Sequence, residues 1–157
     1  MEWTEYKADK TDGDDYVPVS EWGSDHWSTF AYLETRAVDA KGQIDNRRMR
    51  ANMRLHRHFF WATVLHRADN KEYPTRLKGG SELKKHDDWS CLEDMVAAGL
   101  LRSWFRRVND DAFNNSRGRV EFTELGLSVA AELRRHKANG GQWSNFEPSP
   151  LDAVGVE

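Results

Sequence analysis

The sequence predicts an α+β domain, mainly α, with a β-hairpin set between helices and irregular segments at both ends. Three observations predict it. Apolar residues recur at spacings of three and four over 24–66, near 89–96 and again over 125–133, the period of helices with one buried face. Between the last two lie Leu101–Val108 and Arg119–Thr123, which carry Trp, Phe, Val and Thr around a polar tip of Asn114, Asn115, Ser116 and Gly118, the pattern of two strands and a turn. Seven Trp and seven Phe in 157 residues also demand a core or a partner to cover them.

Composition bounds the class. Apolar residues make up 38% and charged residues 31%, ordinary for a folded domain. No apolar run approaches the roughly 20 residues that span a bilayer, so no membrane association is expected. The first residues, Met-Glu-Trp-Thr-Glu, have neither the basic nor the apolar region of a secretory signal. Cys91 is the only cysteine, which excludes an intrachain disulfide and a zinc ribbon and predicts a reducing, cytoplasmic setting. The net charge of −3 conceals an asymmetry: residues 1–46 balance at −7 and residues 47–85 at +8. The basic stretch is either a footprint for an anionic partner or the surface on which the acidic stretch folds.

Taken in order, residues 1–24 mix Asp, Gly and Thr with Trp3, Tyr6, Tyr16, Val17, Val19 and Trp22, and Pro18 and Gly23 punctuate them, predicting an extended aromatic and acidic arm. Residues 25–138 form one helical domain. Ser24 or Asp25 caps a first helix carrying Trp27, Phe30, Ala31 and Leu33 to about Val38, before Gly42. Met49, Met53, His56, Phe60 and Val64 define the buried stripe of a helix from about Asn46 to His66, with Arg47, Arg48, Arg50, Arg54 and Arg57 largely off it. Arg76–Lys85 reads as a short helix or turn broken at Gly79-Gly80. Asp87 and Asp88 offer N-caps, and Ser90 with Glu93 matches a capping box, for a helix burying Trp89, Leu92, Met95 and Val96 and leaving Ser90, Glu93, Asp94 and Ala97 outward. Gly99 stops it. After the hairpin, Thr123 caps a last helix burying Leu125, Val129, Ala130 and Leu133, with Arg134, Arg135, His136 and Lys137 at its negative dipole end. Residues 139–157 form an acidic tail with Trp143 and Phe146. The shared core is expected to contain Met49, Phe60, Val64, Trp89, Leu92, Met95, Phe122, Val129 and Leu133.

Residues 73–138, with Gly99-Leu100, Val120, Phe122-Thr123 and Leu125-Gly126, resemble the winged-helix domains of MarR-like and PadR-like regulators. The resemblance implies a winged helix-turn-helix core, with Trp89–Ala98 where such proteins place a recognition helix. The acids on its expected outward side argue against base reading there, because side chains that read bases are normally Arg, Lys, Asn or Gln and carboxylates repel phosphate. The remaining cations, Arg117 and Arg119 at the wing with Arg102, Arg106 and Arg107 on its first strand, fit contact with a phosphate backbone or a solvated hairpin.

Among other chemistries, His56, His58, His66, His86 and Cys91 are metal-ligand types, but no His-Glu-x-x-His or Cys-x-x-Cys pattern joins them, so neither metal nor cofactor is expected. Asp25-His26 with Glu34 and Asp39 offers carboxylates more cheaply explained by helix capping. No nucleophile elbow, Walker loop or dinucleotide fingerprint is present. Cys91 has no local His partner and reads as an inert small residue. The function expected is therefore a non-catalytic winged-helix protein associated with nucleic acid, a regulator or accessory factor gripping the phosphate backbone through Arg47, Arg48, Arg50, Arg54, Arg57, Arg117 and Arg119. The alternative is a protein-docking adaptor or assembly component, including a homo-oligomer, on the same scaffold. An enzyme has only scattered His and acid residues behind it.

Overall fold

A helix that ends, turns through Gly99 and feeds a long hairpin organises the chain. In the computed structural model, described for residues 3–8, 16–44, 49, 74–84, 86–107 and 116–150, the elements run β1 (Thr4–Glu5), α1 (Ser24–Asp39), β2 (Gln43–Ile44), β3 (Thr75–Arg76), β4 (Glu82–Leu83), α2 (Asp88–Ala97), β5 (Leu101–Arg107), β6 (Ser116–Phe122) and α3 (Glu124–Ala138). Short 3-10 turns lie at Val19–Glu21 and Trp143–Asn145. The architecture is α+β, as expected from the sequence. The predicted helix over 46–66 lies outside the described residues apart from Met49, which is buried.

Alternation of large rings and small residues makes the hairpin. β5 and β6 pair antiparallel from Leu101 opposite Phe122 to Arg107 opposite Ser116, so the second strand begins three residues earlier than its β-branched content predicts. β1 joins β5, placing Glu5 opposite Trp104, and β2 joins β6, placing Gln43 opposite Arg119. The result is a four-stranded antiparallel sheet in the order β1-β5-β6-β2. Leu101, Ser103, Phe105, Gly118 and Val120 point to the core, while Arg102, Arg119 and Glu121 are exposed, the period-2 division of a sheet wetted on one side.

The helices bury the rest. α1 contributes Trp27, Phe30 and Leu33, α2 contributes Trp89, Leu92 and Met95, and α3 contributes Val129, Ala130 and Leu133 to one apolar cluster. Phe122 packs against that cluster from a half-buried position. Phe60 and Val64 lie outside the described residues. The arm and the tail both dock on the body: Tyr6, Val17 and Trp22 are buried, and Phe146 meets Trp27 edge-on at 4.7 Å.

Local signals hold at several ends and fail at others. Thr123 Oγ1 accepts from the Gly126 N–H at 3.0 Å, the expected cap of α3. Gly99 adopts φ +81°, the left-handed conformation that ends α2. The cap of α2 is Asp87, whose Oδ1 accepts from the Ser90 N–H at 2.9 Å, so Ser90 lies inside the helix and opens no capping box. α1 starts after Gly23, which has no side chain to cap it, so the expected cap from Ser24 or Asp25 is not made; Asp25, inside the first turn, accepts from the Arg76 N–H at 2.7 Å through Oδ2. Of the short helix or turn expected here, residues 75–83 form the turn, as a tight hairpin: Gly79 and Gly80 both take positive φ, and Thr75 pairs with Leu83.

Candidate functional site

The expected outward side of α2 is not outward. Ser90, Glu93 and Asp94 are buried, Asp94 at 1% exposure, and of that set only Ala97 reaches solvent. The one-stripe reading fails because α1 and the arm cover the face that the stripe leaves over. A lone buried carboxylate is prohibitively costly unless paired and hydrogen-bonded, and Asp94 is given partners from three other segments. Its Oδ1 accepts from the Val17 N–H at 3.0 Å. Its Oδ2 lies 2.8 Å from Nε2 of His26 on α1 and 2.8 Å from Nε2 of His86, which directly precedes the α2 cap.

The network extends to Thr75 and Cys91. The Thr75 hydroxyl donates to the His86 carbonyl at 2.6 Å, which uses its one proton. His86 Nδ1, 2.9 Å from the same Oγ1, is therefore the donor of that contact. Cys91 Sγ sits 3.8 Å from both His86 Nδ1 and Thr75 Oγ1. The His26 ring stacks on Trp22, centroids 4.9 Å apart, and its Nδ1 is buried without a hydrogen-bond partner among the described residues. Burial alone would raise the Asp94 pKa, but the hydrogen bonds from His26 and His86 outweigh it and hold the carboxyl below its ordinary value. Burial pushes His26 the other way, below the usual imidazole value despite Asp94, so His26 favours its neutral form. Burial, then the nearby Asp88 and Asp94 carboxylates, pushes the Cys91 thiol well up, so it is a protonated thiol rather than a nucleophile.

Sequence reasoning missed this constellation. It grouped His26 with Asp25, Glu34 and Asp39, and it set His86 and Cys91 beside His56, His58 and His66 as ligand types without joining either to His26. The structure instead joins His26, His86 and Cys91, with donor atoms all within 4.8 Å of one another. Glu34 pairs with Arg134 on α3. His56, His58 and His66 lie outside the described residues. No local spacing signals the cluster, since 60 residues separate the two histidines; the one hint was an Asp inside the apolar run of α2.

Of the expected nucleic-acid-binding residues, Arg47, Arg48, Arg50, Arg54 and Arg57 lie outside the described residues. Arg119 is exposed on β6, opposite Trp104, and Arg117 sits opposite Arg106 in the register. Arg102 is engaged by the arm: its Nε and Nη2 donate to the two carboxylate oxygens of Glu5 at 3.0 and 3.2 Å, and its guanidinium lies 4.9 Å from the Trp104 ring centroid. Hydrogen bonds from Arg102 and then Lys7 bring the Glu5 pKa down to about 2. Part of the acidic segment thus does fold onto basic residues, but onto β5.

Arm and tail also frame a surface groove of about 530 Å³, with Pro18, Val19 and Trp22 on one wall and Phe146, Pro148 and Pro150 on the other. Lys78 and Glu147 pair across it. No protein-family model matches the chain, and neither does any curated protein or solved structure.

Proposed function

We propose that this protein is a non-catalytic, winged-helix-type nucleic-acid-associated factor that grips the phosphate backbone with its hairpin and reads no bases with α2. Two features support the scaffold: the strand after α1 is added to β6, and α2 runs straight into the β5–β6 hairpin. The observation that carries the binding surface is the charge of the outer hairpin. Its two strands, Leu101–Arg107 and Ser116–Phe122, carry Arg102, Arg106, Arg107, Arg117 and Arg119 against the single acid Glu121, with Asp110 and Asp111 in the segment that joins them. The register sets Arg106 opposite Arg117, a concentration of like charge along the strands that suits a phosphate backbone, and Trp104, opposite the exposed Arg119, offers a ring to a sugar or base.

The test is retention of a random DNA duplex at low and moderate salt by the wild type and by Arg117→Glu/Arg119→Glu. Backbone contact predicts binding without sequence preference, weakened in the variant, with the salt slope falling by about one unit per lost contact. No retention by the wild type at low salt overturns the reading. The docking reading would then lead, since α2 is sealed and the groove between arm and tail is lined by apolar and proline side chains.

A further inference from the structure

We infer that the buried cluster of His26, His86 and Cys91, with Asp94 behind the two rings, is a site for a divalent transition-metal ion of the zinc class, independently of any nucleic-acid role. The donor set is two imidazoles and one thiol, ligand types that tetrahedral zinc takes, with a fourth position left for water. One nitrogen of each ring and Cys91 Sγ lie within 4.8 Å of one another. Ligand pairs in a tetrahedral site fall at roughly 3.3–3.6 Å, given Zn–N of about 2.0–2.1 Å and Zn–S of about 2.3 Å. His86 Nδ1 and Cys91 Sγ, at 3.8 Å, are near that spacing, while Nε2 of each ring lies 2.8 Å from Asp94 Oδ2, the kind of carboxylate that orients metal-bound imidazoles from behind. Closing the site therefore needs movements of about an ångström or less.

His26 supplies the second, independent signal. Its ring is wholly buried, and Nδ1 has no hydrogen-bond partner among the described residues. A buried ring that satisfies only one nitrogen forgoes a hydrogen bond, at a cost that a folded core rarely bears without reason. Coordination changes what the ring is held for.

Charge balance favours a dication. The ion binds as Cys91 and His86 Nδ1 each lose a proton to solvent, and the thiolate with the Asp94 carboxylate behind the rings offsets its two positive charges. Two neutral imidazoles complete a site with no net charge, the condition a buried site must meet. The raised thiol pKa is no obstacle, because a coordinating thiol is deprotonated outright by the ion. The ligands come from α1, the segment before α2, and α2 itself, so an ion there ties α1 to α2, and its uptake is coupled to folding.

The experiment uses the full chain without a polyhistidine tag. Metal content is measured on protein produced with Zn²⁺ supplied. The protein is then unfolded with a chelator and refolded with Co²⁺ alone. Because Cys91 is the only cysteine, a thiolate-to-cobalt charge-transfer band in the wild type assigns the ligand even where a variant fails to fold. Expected are a single equivalent of zinc per chain, that band with the intense visible absorption of tetrahedral cobalt, and loss of the band in Cys91→Ala and of the ion in His86→Gln. Metal-free protein that refolds equally well without Co²⁺ and takes up none overturns the proposal. So does Co²⁺ bound with no thiolate band, which would place the ion elsewhere.

Discussion

Replacing Asp94 with Ala removes the acceptor shared by Val17, His26 and His86 and leaves three donors buried around a small hole. Each hydrogen bond to a charged group is worth about 1.5–3 kcal/mol, but the sum overstates the loss, because water and ring rotation recover part of it. Removing one partner of a buried ionic pair costs about 3–5 kcal/mol, and that is the expected destabilisation. For a chain of this size each kcal/mol moves Tm by about 2–4 °C, so the melting temperature is expected to fall by roughly 6–20 °C.

The assay is equilibrium unfolding in urea, with metal content held fixed between proteins. Asp39→Ala is the control: Asp39 is exposed at the end of α1, and its loss is expected to stay within about 0.5 kcal/mol. Asp94→Asn, which keeps the shape and one acceptor oxygen, is expected to fall between them. A loss below about 1 kcal/mol for Asp94→Ala would refute the reasoning, because it would mean that the carboxylate is not the hub of the buried network.

Two further outcomes follow from the same packing. Gly126→Ala is expected to cost about 1–3 kcal/mol or more, since the new Cβ would lie 2.0 Å from the Leu100 carbonyl oxygen; a urea midpoint unchanged from wild type would contradict that close approach of α3 to the end of α2. Stability is also expected to decline with acid through the imidazole range. His26 has its pKa lowered in the folded state, so below the ordinary value of about 6.5 the unfolded chain takes up a proton that the folded one refuses. The contribution is full above that pH and lost below it, and His26→Gln is expected to flatten the decline; a wild-type midpoint that does not change between about pH 7.5 and 5.5 would show that His26 titrates alike in both states.

What the sequence revealed depended on how far away the cause lay. Thr123 and Gly99 were legible because a cap and a left-handed stop are decided by residues within one turn. The start of α2 was ambiguous for the opposite reason: Asp87, Asp88 and Ser90 all offer cap oxygens, and the choice of Asp87 is made by the backbone arriving from His86. Asp94 and Glu93 were misplaced because a two-class pattern assigns acids to water, whereas α2 receives cover from segments over 60 residues earlier in the chain. The meeting of His26 with His86 could not be read at all, since it exists only once α1 lies across α2. Asp25 shows the same lesson in small. A carboxylate in the first turn of a helix suggests a cap, yet here it serves the N–H of Arg76 in a hairpin fifty residues on.

The burial of α2 constrains any account of what this protein does. A helix that reads a DNA groove needs one face in the core and the other free. α2 has Trp89, Leu92 and Met95 in the apolar cluster on one side and Asp94, bonded to the arm and to α1, on the other. Freeing that second face would expose an ionised carboxylate's partners together with Trp22, which stacks on His26 and donates to the Val17 carbonyl at 2.9 Å. Those contacts are made by the docked arm, so opening the face means undocking the arm and unpairing a buried charge, a cost of the same order as the Asp94→Ala loss. Non-specific phosphate contacts that fade with salt are poorly suited to meet it. The hairpin requires no such opening. Its outward residues are presented by strand alternation alone, beginning immediately after the Gly99 turn. The polar network beneath holds α2 and that turn in place, so loss of Asp94 is expected to weaken any phosphate binding only through loss of folded protein, whereas reversal of Arg117 and Arg119 would weaken binding with the fold intact.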